Sequence, residues 1–177
     1  MLKVHVPGDS VARAVGADQV VEALQREAER RNVQLDIRRT SSRGLYWLEP
    51  LLECDSEQGR QGFGPVTPQD VPGLLDAMIG AEADHRLALG AVEDMPYLKT
   101  QQRLLFARAG ITRPLSLDDY RAHGGFAGLE AAVALDGAEV VAAVLDSGLR
   151  GRGGAAFPAG IKWRTVRDAK PAQKYVV

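Results

Sequence analysis

Leu2-Lys-Val-His-Val6 and Val33-Gln-Leu-Asp-Ile37 alternate polar and apolar side chains, and Val20, Val21, Leu24 and Ala28 recur between them at helical spacing. Alternation predicts half-buried strands and the helical period predicts an amphipathic helix, so this stretch reads as a β-α-β unit. Glu22 with Arg26 and Glu27 with Arg31, at i, i+4, fit the wet side of that helix and carry no function.

Beyond this unit, a loop over Thr40–Gly44 leads into Leu45–Cys54, rich in large apolar residues and broken by Pro50. Ser56–Gly59 then reads as a turn before a strand ending near Phe63, which is a hairpin. Thr67-Pro-Gln-Asp70 supplies an N-cap, a first-position proline and an acid near N3, predicting a helix through Leu74, Leu75 and Met78. Residues 1–82 therefore read β-α-β, hairpin, closing helix. Residues 83–135 read as a connector and helical lead-in. Periodicity fades from Ala81 to Pro96 in what should be a surface connector, and Tyr97, Leu98, Gln101, Leu104, Leu105 and Ala109 predict a helix ending at Gly110. Ser116-Leu-Asp-Asp119 caps the short helices that follow, His123-Gly-Gly-Phe126 interrupts them, and Leu129–Val133 resumes the pattern. A third region, 136–177, opens with an apolar helix, Ala138–Leu145, that stops at Ser147-Gly148.

Charge and composition narrow the function. Lys and Arg number 22 against 23 Asp and Glu, a net charge of −1, which gives no electrostatic reason to expect nucleic acid or an anionic membrane as partner. With 45% hydrophobic and 25% charged residues this is ordinary globular composition. No apolar run is long enough for a membrane span and the N-terminus lacks a signal-peptide core, so the expected location is the cytoplasm. The single cysteine, Cys54, has no Cys or His at a zinc-ligand spacing and cannot alone hold an iron–sulfur cluster. It reads as a buried inert thiol.

Gly148-Leu-Arg-Gly-Arg-Gly-Gly-Ala-Ala-Phe-Pro-Ala-Gly-Ile-Lys-Trp163 is the most informative segment for chemistry. Glycines let the main chain approach a ligand closely and offer N–H groups to a phosphate, and Arg150, Arg152 and Lys162 can neutralise it. The alternative is a structural loop or linker, although Phe157, Pro158, Ile161 and Trp163 are costly to leave solvated. Gly151-x-Gly153-x-x-Ala156 matches the dinucleotide fingerprint in letters, but a helical period precedes it where a strand is required. Lys162 is not followed by Ser or Thr, so the Walker pattern fails as well.

The same sixteen residues resemble the signature GLRGRGGAGFPTGLKW of the flavin-bearing, NADH-oxidising subunit shared by respiratory complex I, bidirectional hydrogenases and soluble molybdenum formate dehydrogenases, with only Ala156, Ala159 and Ile161 departing. Tyr97–Ile111, Pro114–Tyr120 and Ala122–Phe126 resemble the helical lead-in of that family. Gly64-Pro-Val-Thr67, Asp70-Val-Pro72 and Gly90–Pro96 are similar to the β subunit of NAD-dependent formate dehydrogenase in particular. The resemblance implies an α/β protein: a thioredoxin-like N-terminal domain, a short helical segment, then the start of an FMN/NADH-binding domain. It implies that Gly151, Arg152, Gly153, Gly154 and Lys162 hold FMN and that Phe157 lies against NAD. Ala156 stands where the family has glycine. The partners it implies are a molybdenum-containing, formate-oxidising α subunit and a thioredoxin-like, two-iron γ subunit.

In the family the chain continues past the strand-like Lys174-Tyr-Val-Val177 into an Asn-Ala-Asp-Glu segment and a cysteine quartet for a 4Fe-4S cluster. The expectation is therefore a truncated domain, inactive alone, with that cluster only in the absent part. Thioredoxin-like relatives hold a two-iron cluster on four cysteines. The corresponding positions here fall at Pro7, Ala12 or a neighbour, Ser42 and Tyr46, so a cluster-free docking surface is expected. His5, His85 and His123 read as structural, Asp118 and Asp119 as helix-capping acids, and Trp47 and Trp163 as core or interface aromatics, with Trp163 beside the flavin pocket. Two functions remain open: an NAD-dependent electron-transfer subunit working through FMN, for formate dehydrogenase or alternatively a hydrogenase or complex I, and a non-catalytic thioredoxin-like docking module.

Overall fold

The computed structural model describes residues 1–80, 85–170 and 173–175. Two compact units divide between His123 and Gly124, whereas periodicity and composition suggest divisions at 82/83 and 135/136. The first unit contains β1 (Leu2–Pro7), α1 (Ser10–Ala14), α2 (Ala17–Arg31), β2 (Leu35–Thr40), β3 (Leu52–Ser56), β4 (Gly59–Phe63), α3 (Val71–Ile79), β5 (Ala88–Ala91), α4 (Pro96–Lys99) and α5 (Leu117–Ala122). The second contains α6 (Ala127–Val133), α7 (Gly137–Asp146) and α8 (Ala159–Asp168).

The predicted β-α-β unit forms. β1 pairs in parallel with β2, Val4 opposite Ile37, and α2 connects them. A parallel pair needs such a crossover, whereas β3 and β4 need only the tight turn closed by Ser56 and Gly59. β1 also pairs antiparallel with β3, giving the sheet order β2-β1-β3-β4-β5. Apolar side chains on one face, among them Val4, Val6, Leu52, Cys54 and Phe63, pack with Val20 and Leu24 of α2 and Leu74 and Leu75 of α3. Thr67 and Asp70 make the expected reciprocal capping box, over a 3-10 turn (Pro68–Asp70) that leads into α3.

The expected surface connector is not wholly one. Its residues 81–84 lie outside the described residues, but Ala88–Ala91 form β5 on the sheet edge, antiparallel to β4. Val92 and Leu98 then join Leu45 and Leu51 in a second, smaller core. Gly62 on β4 permits this, since a Cβ there would stand 3.0 Å from both Val92 and Met95. The four residues of β5 are too few to register a period.

The helix expected over Tyr97–Ala109 is only α4, followed by turns. Polar contacts hold the chain out of helix there. Arg103 donates to the Arg43 carbonyl at 2.6 Å, Arg60 Nη1 to the Gly110 carbonyl at 2.7 Å, and the Gly110 amide to Ser41 Oγ at 3.1 Å. Gly110 has φ +75°, and a side chain there would collide with Arg43. Leu98 joins the second core, but Leu104, Leu105 and Phe106 are exposed, so the rest of the apolar stripe that suggests a helix is not buried within this unit.

In the second unit α7 opens on a capping box of Asp136 and Glu139, and α7 packs on α8. Gly160 sets that contact: a Cβ there would lie 2.7 Å from the Leu145 backbone. Lys174 and Tyr175, expected in a terminal strand, are not in one, and Val176 and Val177 lie outside the described residues. No described helix is long and apolar enough to cross a membrane.

Candidate functional site

The glycine-rich loop joins α7 to α8. Its ends are fastened by an antiparallel bridge between Arg150 and Pro158, with the Gly151 amide donating to the Phe157 carbonyl at 2.8 Å and the Ala159 amide to the Leu149 carbonyl at 2.9 Å. Inside the loop the Ala156 amide donates to the Gly153 carbonyl at 3.1 Å, and Arg150 Nε donates to the Ala156 carbonyl at 2.7 Å. A helix precedes the loop, so the dinucleotide fingerprint of matching spelling lacks its strand, as the periodicity indicates.

The glycines of this loop play different parts. Gly151 is tied into the fold by its amide bond to the Phe157 carbonyl, although a Cβ there would make only an ordinary contact with that carbonyl at 3.5 Å. Gly153 and Gly154 are exposed, lie outside the left-handed region, and would meet nothing within 4 Å if given a Cβ. Nothing in this unit requires them to be glycine. Their amides, with those of Arg152 and Ala155, donate to no acceptor among the described residues. An external group could therefore come against an open stretch of backbone N–H.

Two of the sequence-predicted residues meet directly: Lys162 Nζ lies 5.8 Å from the centre of the half-exposed Phe157 ring. Lys162 is in the first turns of α8, whose N-terminus has no side-chain cap, so its positive end adds to the cationic character of the loop. Arg152 is exposed and makes no hydrogen bond or ion pair among the described residues. Ala156 has φ +44°, in the left-handed region that glycine tolerates and an L-residue disfavours. In the sequence, alanine in place of glycine at 156 suggests crowding of a ligand. The backbone angle is the larger effect.

The structure disposes of other readings. Cys54 is buried, its thiol pKa pushed up to about 11 by burial and by Asp55, and it is inert as expected. Ser42 is occupied: its hydroxyl donates to Glu49 at 2.6 Å and its amide to Asp9 at 2.6 Å. Pro7 ends β1, Ala12 is buried in α1 and Tyr46 is exposed in a 3-10 turn. Among the described residues no group of three or more His, Cys, Asp and Glu could hold a metal ion. Asp118 and Asp119 lie in the first turn of α5, where the helix dipole favours acids as expected, but Asp119 is not the residue that caps it. Ser116 is, and Asp119 instead clamps the Arg113 amide and guanidinium, whose hydrogen bonds hold its carboxyl well below the usual range. Trp47 and Trp163 are each at least half-exposed, Trp47 standing edge-on to Tyr97 at 5.2 Å, so neither is a core residue.

No family model matches the chain. Among curated proteins it is 48% identical over 79 residues to the NADP-reducing hydrogenase subunit HndC of Solidesulfovibrio fructosivorans, covering 45% of this chain and 16% of the relative. It is 43% identical over 81 residues to a subunit of the NADH-quinone oxidoreductase of Aquifex aeolicus, covering 46% and 19%. It is 56% identical over 39 residues to the alpha subunit of the NAD-reducing hydrogenase HoxS of Cupriavidus necator, covering 22% and 6%. The matched part thus spans less than a fifth of each of these relatives. Among solved structures, a serine-for-cysteine variant of the thioredoxin-like 2Fe-2S ferredoxin from Aquifex aeolicus aligns with 51% of this chain and 99% of its own, at 17% identity and a TM-score of 0.42. The chain's homologues are therefore subunits of NAD(P)-reducing hydrogenases and of NADH-quinone oxidoreductases.

Proposed function

We propose that this sequence belongs to an NAD-dependent diaphorase subunit, with residues 151–162 forming one wall of an FMN site. The observation that carries the reading is the pair Gly153 and Gly154, glycines at which a Cβ would meet nothing within 4 Å among the described residues and whose amides donate to no acceptor among them, in a loop that carries Arg152 and leads into Lys162. A flavin phosphate is a dianion that needs close backbone approach and neutralisation, and this wall offers both. FMN, when bound, supplies the interconversion of two-electron hydride and one-electron chemistry between NAD(H) and iron–sulfur centres. In this reading Lys162 and Arg152 hold the phosphate, Gly151 fixes the loop's base, and Phe157 offers an apolar face to the dinucleotide. Lys162 leaves its position over Phe157 to reach the anion, and the uncapped end of α8 adds a field of the same sign.

The finer part of the proposal is that the electron partner is a molybdenum-containing formate-oxidising subunit. It rests on the resemblance of Gly64–Thr67, Asp70–Pro72 and Gly90–Pro96. The names of the homologues favour instead a hydrogenase or a quinone-reducing complex as the second reading. Flavin content and NADH:ferricyanide activity of the polypeptide carrying Lys162→Ala test the site. Loss of flavin is the expected result, and unchanged content and rate would return the loop to a structural role. Formate-, hydrogen- and quinone-dependent NAD(H) turnover of the purified complex then separates the partners.

A further inference from the structure

Arg150 and Arg152 flank Gly151, and the fold uses them differently. The Arg150 guanidinium is turned back across the loop onto the Ala156 carbonyl, while Arg152 is unengaged among the described residues. Ala156 holds φ +44° between two further ties, its own amide to the Gly153 carbonyl and the Phe157 carbonyl to the Gly151 amide. An alanine left to itself relaxes to negative φ, and that relaxation would turn the carbonyl away from Arg150 and swing the Gly153–Ala155 amides with it. A strained residue of this kind persists only where its surroundings over-determine it.

We infer that Arg150 is a positioning residue for the anion-binding loop and not a ligand for the anion: it locks Ala156 in the left-handed conformation and so aims the open amides. Arg152 and Lys162 are then the cations that meet the ligand. The inference rests on the flavin reading of the loop and adds to it a division of labour among three cations that their sequence spacing does not distinguish. It also accounts for how this chain tolerates alanine at position 156. A glycine there adopts positive φ without strain and has little need of the lock.

The test is a set of variants read in two ways. In the flavin-free protein, Arg150→Ala should speed exchange of the Gly151 amide about tenfold, and Arg150→Ala combined with Ala156→Gly should restore it. FMN affinity, followed by quenching of flavin fluorescence, should fall about tenfold or more in Arg150→Ala and in Arg150→Lys, which keeps the charge but loses the planar donor. The double variant should recover most of that affinity. Unchanged exchange in Arg150→Ala would overturn the lock, and so would an affinity loss that Arg150→Lys repairs and Ala156→Gly does not, because that is the behaviour of a charge on the phosphate. If exchange behaves as expected while the whole subunit that carries this sequence takes up no FMN, the lock stands and the flavin reading falls.

Discussion

Arg43 holds Glu53 through two hydrogen bonds, Nε at 2.9 Å and Nη2 at 2.8 Å, with the two side chains only 3% and 2% exposed. Glu53 lies on β3 opposite His5 of β1, on the sheet face away from α2, and Arg43 reaches it from the loop after β2. The pair roots the segment that crosses this face, because Gly110 passes directly over the Arg43 side chain and Arg103 holds the Arg43 carbonyl. Each partner has one further ion pair, Arg43 Nη1 with the exposed Glu93 at 2.5 Å and Glu53 with Arg60 Nη1 at 3.4 Å, so removing either leaves the other buried with only that outer contact. Arg43→Ala or Glu53→Ala should therefore destabilise in urea titrations, by at most about 3–5 kcal/mol, the cost of a buried charge left with no partner. The double replacement Arg43→Met with Glu53→Leu should recover most of that loss, whereas additive losses would mean that the pair is not coupled as the geometry indicates.

His5 gives the first unit a pH dependence. Its Nε2 is 2.9 Å from the Asp55 carboxylate, which can only accept, so Nε2 carries the proton and the buried Nδ1 has no partner among the described residues. A second proton would add an unsatisfied N–H in a buried place. Burial, helped by the Arg60 charge, lowers the His5 pKa from 6.5 against the opposing pull of Asp55 and Glu53. The unfolded chain thus binds this proton more readily than the folded one. Stability from His5 is fully present above pH 6.5 and is lost as the pH falls toward the lower folded value. Unfolding titrations across that window should show stability falling with acid more steeply in the parent than in His5→Gln. Equal slopes would contradict the assignment.

Glycines in the second unit should answer to substitution with opposite signs. Alanine normally stabilises a helix over glycine by roughly 1 kcal/mol, and Gly128→Ala in α6, where a Cβ meets nothing, should do so or be neutral. Gly160→Ala in α8 should instead destabilise by about 1–3 kcal/mol, because the new methyl meets the Leu145 backbone. Amide exchange of α6 measures the first effect and that of α7 and α8 the second, and stabilisation by Gly160→Ala would show α7 and α8 to be less closely packed than described.

What is legible in the sequence follows from how local each signal is. Alternation in Leu2–Val6, the helical stripe of Val20, Leu24 and Ala28, and the capping box at Thr67 and Asp70 are set by near neighbours, and each forms where read. The segment after Tyr97 misleads because periodicity predicts a helix only if its stripe is buried, and Leu104 and Leu105 are not. Its real conformation is dictated by Arg43, Arg60 and Ser41, far away in the chain. Within the candidate site the residue types and spacing stand out at once. That the Gly151 amide is bonded to Phe157 while those of Gly153 and Gly154 are open, and that Arg150 is turned onto a carbonyl, depends on backbone geometry that letters do not encode.

Gly153 is glycine, in this reading, for the sake of a ligand and not of the fold. An FMN titration of Gly153→Val by flavin fluorescence, paired with its urea unfolding curve, separates the two. Because a Cβ at 153 meets nothing within 4 Å among the described residues, stability should stay within about 0.5 kcal/mol of the parent. Flavin affinity should fall at least about tenfold, since the branched side chain occupies the approach to the loop amides. Unchanged flavin affinity in a stably folded Gly153→Val would contradict a ligand's need for that glycine.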